Sequence, residues 1–89
     1  MKFQPGQIVA TPGVLAAFEA SGDEPLVFLL RHMQGDWGDV CEEDRQENER
    51  SLVNGWRILS AYTLKNGVKV WVITEADRSS TCVLLPSEY

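Results

Sequence analysis

The stretch Trp56-Arg57-Ile58-Leu59-Ser60-Ala61-Tyr62-Thr63-Leu64-Lys65-Asn66-Gly67-Val68-Lys69-Val70-Trp71-Val72-Ile73-Thr74 decides the fold. Both arms are rich in β-branched and aromatic residues, the composition of strands. Asn66-Gly67 between them is the strongest short-range signal in the chain, that of a two-residue type I′ hairpin turn. Such a turn sets Lys65 opposite Val68, Tyr62 opposite Trp71 and Ala61 opposite Val72. One sheet face then carries Leu59, Ala61, Val70 and Val72, small and branched enough to receive helices. The other carries Ile58, Tyr62, Leu64, Trp71 and Ile73, too apolar to face water, so the terminal segments or a partner must cover it.

Towards the C-terminus, Glu75-Ala76-Asp77-Arg78-Ser79 reads as a loop and Ser80-Thr81-Cys82-Val83-Leu84-Leu85 as a third antiparallel strand closed by Pro86. Towards the N-terminus the hairpin is preceded by the least ordinary segment of the chain. From Asp36 to Arg50 seven carboxylates (Asp36, Asp39, Glu42, Glu43, Asp44, Glu47 and Glu49) stand against two arginines, a local charge of −5 that equals the charge of the whole chain. The remaining six acids and six bases cancel, so the acidity belongs to one segment. Asp39 with Glu42, and Asp44 with Glu47, are two competing capping-box starts for a helix ending near Asn54-Gly55. From Glu42 to Ser51 that helix has no apolar residue. It is therefore solvated and anchored at Val40, Leu52 and Val53, or it buries polar groups.

Two short helices precede the acidic segment. Thr11 is a good N-cap and Pro12 suits the first helical position, predicting a helix over 12–20 with Val14, Leu15 and Phe18 on one face, stopped by Gly22. A second helix from Asp23-Glu24-Pro25 places Leu26, Leu29, Leu30 and Met33 at i, i+3, i+4 and i+7, a buried stripe, with Gly35 as its left-handed end. Gln7-Ile8-Val9-Ala10 can form a short edge strand. The expected fold is α+β in a single domain over 1–89, with two or three N-terminal helices packed on a three-stranded antiparallel meander.

At 44% hydrophobic and 24% charged, the chain has the composition of a globular domain rather than a disordered one. The longest apolar run, Leu26 to Leu30, is far below the roughly 20 residues of a membrane span, and three apolar residues at 8–10 do not make a signal peptide. A cytoplasmic protein with Cys41 and Cys82 as reduced thiols is expected. Scattered basic residues in an acidic chain argue against direct nucleic-acid binding and for a protein partner with a basic or nucleic-acid-binding surface.

His32, the only histidine, would serve any general-base mechanism at neutral pH; its bland role is to bond a carbonyl at a helix end. His32, Asp36, Asp39, Cys41, Glu42, Glu43 and Asp44 have the atom types of a metal site, but their spacing matches no ligand template, and no cofactor motif is present. Trp37, set among glycines and aspartates, is either a plug folded into the core or an exposed binding anchor. Arg78 is expected to pair with the acidic segment and brace the sheet against the third helix. The candidate binding set is therefore Asp36, Trp37, Asp39, Glu42, Glu43, Asp44, Glu47 and Arg78.

At Gly35-Asp36-Trp37-Gly38-Asp39-Val40-Cys41-Glu42-Glu43-Asp44, and again at Leu59–Tyr62, Ile73–Ser79 and Leu84–Tyr89, the chain resembles a family of small bacterial proteins encoded on plasmids and integrative elements. These are called plasmid-related proteins and are sometimes labelled as a type I restriction methylation subunit. The resemblance spans about residues 31–89 and implies a mobile-element origin. At 89 residues, without a glycine-rich loop for S-adenosylmethionine, the chain lacks what a methyltransferase requires. Three readings follow: an acidic interaction module acting on host restriction or defence machinery; a small metal-dependent hydrolase using His32 and the segment Asp36–Asp44; and a dimer closed through the apolar sheet face bearing Tyr62 and Trp71.

Overall fold

The computed structural model describes all 89 residues and has an α+β architecture. Strand β1 (Gln7–Ala10) leads into helices α1 (Pro12–Ser21), α2 (Pro25–Met33) and α3 (Glu42–Asn54), followed by strands β2 (Ile58–Thr63), β3 (Lys69–Thr74) and β4 (Ser80–Leu84) and a 3-10 turn at Pro86–Glu88. The expected three-stranded meander is present, and β1 joins it at the edge, parallel to β4. The sheet order β1-β4-β3-β2 is therefore mixed rather than purely antiparallel.

Helix boundaries follow the local signals. Thr11 caps α1 by accepting from the Val14 amide, and Gly22 ends it at φ +77°. The carboxylate of Glu88, brought over from the far end of the chain, accepts from Thr11 Oγ1 and from the Gly13 amide at the same helix start. Which faces are buried differs from the sequence pattern. In α1 Val14 and Phe18 are buried but Leu15 is exposed. In α2 the buried residues are Phe28, Leu29, His32 and Met33, whereas Leu26 and Leu30 are exposed. Five consecutive apolar residues from Leu26 to Leu30 present hydrophobic surface on every side of the helix, so contact with the sheet selects the face.

The hairpin register also differs from expectation. Tyr62 lies opposite Val70, Ala61 opposite Trp71 and Ser60 opposite Val72, one residue away from the two-residue-turn alignment. The loop has three residues, Lys65, Asn66 and Gly67. The Gly67 amide donates to the Leu64 carbonyl, the Leu64 amide donates to the Val68 carbonyl, and Gly67 sits at φ +83°. This is a type I turn closed by a glycine bulge, a connection equally compatible with Asn-Gly. A one-residue slip exchanges the two faces of one strand relative to the other. Ile58, Ser60, Tyr62 and Leu64 therefore join Val70, Val72, Thr74, Thr81 and Val83 beneath the helices, all buried. They pack with Val14, Phe18, Phe28, Leu29 and Met33 in the core.

The opposite sheet face carries Leu59, Ala61, Trp71, Ile73, Cys82 and Leu84. It is covered from the C-terminus, where the 3-10 turn lies against β3 and the Tyr89 ring stands edge-on to Trp71 at 5.7 Å, with the Arg57 guanidinium over the Tyr89 ring. Tyr62 and Trp71 lie on opposite faces, so no single surface presents both and the expected dimer face does not exist. Cys41 and Cys82 are free thiols. No helix is long and apolar enough to cross a membrane.

Candidate functional site

The acidic segment lies along the free edge of β2. Gly38 forms a parallel bridge to Ala61: the Ala61 amide donates to the Trp37 carbonyl at 3.1 Å and the Asp39 amide donates to the Ala61 carbonyl at 2.7 Å. One step along the strand, the Asn48 side chain of α3 donates to the Leu59 carbonyl at 2.7 Å and accepts from the Leu59 amide at 3.1 Å. An asparagine amide thus continues the ladder in place of a strand. Gly38, at φ +75°, has no room for a side chain, because a Cβ there would stand 2.0 Å from the Ala61 carbonyl oxygen.

Trp37 is a plug. Its exposure is 0%, its indole N–H donates to Glu49 Oε2 at 2.8 Å, and its ring stacks on Phe3 at 6.4 Å and meets His32 at 6.0 Å. It is therefore removed from the candidate binding surface: burying an indole between two aromatic rings outweighs leaving it in water, provided its N–H finds a partner. Asp36 is held by Arg31 at 2.7 Å, and that hydrogen bond keeps its carboxyl below the usual carboxylate range. Its backbone carbonyl accepts from the Tyr62 hydroxyl at 2.6 Å, and burial pushes the Tyr62 phenol up to about 12. Asp39 accepts from Thr63 Oγ1 at 2.8 Å. Neither expected capping box forms: α3 starts after Cys41, which makes no side-chain cap, and Glu42, Glu43 and Asp44 occupy the first turn, where the helix dipole favours negative charge.

Helix α3 takes the second of its two expected courses and buries polar groups, Asn48 and Ser51, rather than an apolar stripe. The signal for this is slight. Asn48, Ser51 and Leu52 lie at i, i+3 and i+4, an uncharged stripe confined to the last two turns of the helix. Arg78 braces the helix end, but through carbonyls instead of carboxylates. Its guanidinium donates to Ser51 O at 2.9 Å, Trp56 O at 2.6 Å and Glu75 O at 3.1 Å, and it stands over the Phe3 ring. Positive charge at the C-terminal end of α3 complements the dipole. Arg78 is the one non-glycine residue at positive φ, +60°.

His32 does not bond a carbonyl. It is fully buried, with Nδ1 2.5 Å from Ser60 Oγ and Nε2 2.9 Å from Thr74 Oγ1. Thr74 Oγ1 lies 2.7 Å from Thr81 Oγ1, and Thr81 donates to the Pro5 carbonyl at 2.7 Å. This chain determines its own protons. The carbonyl can only accept, so Thr81 spends its single proton there and must accept from Thr74; Thr74 must then accept from His32 Nε2–H. Nδ1 is left as an acceptor for the Ser60 hydroxyl. The imidazole is neutral, and burial, assisted by the Arg78 charge, lowers its pKa to about 4. With both nitrogens occupied, His32 has no position for a substrate or a metal. No group of three or more His, Cys, Asp or Glu side chains is placed to hold a metal ion.

Of the eight candidate residues, Trp37 is buried, Arg78 is half-buried, and Asp36 and Asp39 are exposed but bonded within the chain, whereas Glu42, Glu43, Asp44 and Glu47 face outward on α3. Arg45 and Arg50 pair with Glu42 and Glu47 at 3.5 and 3.0 Å, leaving Glu43 and Asp44 without an ion-pair partner. A shallow recess of about 340 Å³ lined by Glu43, Asp44, Gln46, Glu47 and Arg50 has no apolar side chain. Its chemistry suits a cationic group on a partner and not a drug-like or cofactor-like ligand, which requires apolar walls. No protein-family model, curated protein or solved structure matches the chain.

Proposed function

We propose that the chain is a small, cytoplasmic, non-enzymatic interaction module of a mobile element. The outer face of α3 engages a basic protein surface that ordinarily holds nucleic acid, in the host's restriction or other defence machinery. The observation that carries this reading is the contrast between the two sides of α3. Its inner side is pinned by Asn48 to Leu59 of β2 and by Arg78 to the Ser51 carbonyl, while Glu42, Glu43, Asp44 and Glu47 stand outward on a helix without an exposed apolar anchor until Val53. A rigid row of carboxylates binds by charge and is screened by salt, with a Debye length of about 8 Å at physiological ionic strength. The hydrolase reading loses support because His32 has no free nitrogen.

The test is binding to a purified type I restriction complex, with duplex DNA as competitor. Binding is expected to fall at least about tenfold between 50 and 300 mM salt, as for multi-charge contacts, and to vanish on reversing Glu42, Glu43 and Glu47 to Lys. Retention of binding by the folded triple variant counts against the proposal.

A further inference from the structure

The two edges of the sheet are treated in opposite ways. At the β2 edge, the outward peptide groups of Leu59 and Ala61 are all satisfied, by Asn48 and by Trp37–Asp39. At the β1 edge, Gln7 and Thr11 give their amides to Ser79 and Val83 on the β4 side, which turns the peptide groups of Ile8 and Ala10 outward, and no other group of the chain meets them. All four β1 residues are exposed. Ile8 is 47% and Val9 42% exposed, on opposite faces of the sheet, as expected where a strand has a neighbour on one side only. Edge strands are usually blunted by Lys, Pro or a bulge, and Gln7–Ala10 contains none of these.

We propose that the β1 edge is a self-association edge, on which Gln7–Ala10 of a second copy pairs antiparallel about a two-fold axis at Val9. The pairing is self-complementary: Ile8 of each copy exchanges two backbone hydrogen bonds with Ala10 of the other, and the two Val9 side chains meet across the axis. Charge selects a second copy over a charged partner. The net charge of the chain resides in residues 36–50, which lie at the β2 edge, and the rest of the chain is balanced. In the paired sheet the two β2 edges stand seven strand spacings apart, about 34 Å at ~4.8 Å each. That is several Debye lengths, so the acidic segments do not oppose the contact. The interface is at the small end of specific contacts, and the expected dissociation constant is micromolar or weaker. This surface is independent of the acidic face of α3.

Sedimentation velocity from about 10 µM to 1 mM tests it. The weight-average mass is expected to rise from 10.0 kDa towards twice that value. Ala10→Pro removes one outward amide without touching a β1–β4 bond, and Val9→Lys places two ammonium groups across the axis. Each should keep the protein at 10.0 kDa throughout. Amide exchange on the unaltered chain supplies a measurement that does not depend on the variants folding: Ile8 and Ala10 should gain protection with concentration and lose it on dilution. A monomer at 1 mM, or Ile8 and Ala10 amides whose exchange is independent of concentration, overturns the proposal.

Discussion

The side-chain amide of Asn48 pairs with the backbone of Leu59 at both of its polar groups, donating at 2.7 Å and accepting at 3.1 Å. One polar residue on a helix without an apolar stripe thereby fixes that helix to the edge of the sheet. Replacing it by alanine leaves an amide and a carbonyl of Leu59 without protein partners, at a cost of roughly 1–3 kcal/mol. For a domain of this size that is a fall in Tm of about 10 °C. Asn48→Asp should be no better, since a carboxylate would face the Leu59 carbonyl. Thermal unfolding checks this, and a loss of only a degree or two would show that water replaces the amide at the edge.

His32 makes stability depend on pH in a defined window. Its folded pKa, about 4, lies below the ordinary value of 6.5, so the unfolded chain binds the extra proton first. The contribution is fully present above pH 6.5 and is lost as pH falls towards 4, amounting to on the order of 3 kcal/mol. Asp36, whose pKa is also lowered, acts in the same direction but only as pH falls below the ordinary carboxylate range. Denaturant unfolding at pH 7, 6, 5 and 4.5 should show the decline. Nitrogen NMR of the imidazole should show the Nε2–H tautomer; a flat stability profile or an Nδ1–H tautomer would contradict the hydrogen-bond chain.

Trp37 is fully buried, Trp71 half-buried and Trp56 exposed. In a Trp56→Phe, Trp71→Phe variant the remaining emission should therefore be blue-shifted and insensitive to iodide. Strong quenching would mean that the indole is on the surface. Trp37→Ala is expected to cost about 3–5 kcal/mol, enough to unfold much of a marginally stable domain.

Arg78 spans carbonyls on two segments, Ser51 at the end of α3 and Trp56 before β2. A lysine ammonium is a single point charge and does not reproduce the planar fork. Arg78→Lys should accordingly lose nearly as much stability as Arg78→Ala, roughly 1–3 kcal/mol. Full retention of stability by the lysine variant would assign the effect to charge alone.

Local signals set the elements: strands from the β-branched and aromatic composition of 56–64 and 68–74, helix ends from Thr11, Gly22 and Gly55, and the confinement of net charge to residues 36–50. These are local properties, set by backbone dihedral preferences and by composition. Packing between distant segments selects which faces are inside. Both faces of the hairpin are apolar and Asn-Gly accepts two loop lengths, so the pattern is the same in either register, and packing against α2 makes the choice. Apolar residues surround α2, so only the sheet distinguishes Phe28 and His32 from Leu26 and Leu30. The chain linking Pro5, His32, Ser60, Thr74 and Thr81 joins residues up to 76 positions apart. Hydrogen bonds between such distant groups leave no periodicity in a sequence; they exist because burial obliges each polar atom to find a partner wherever the fold brings one.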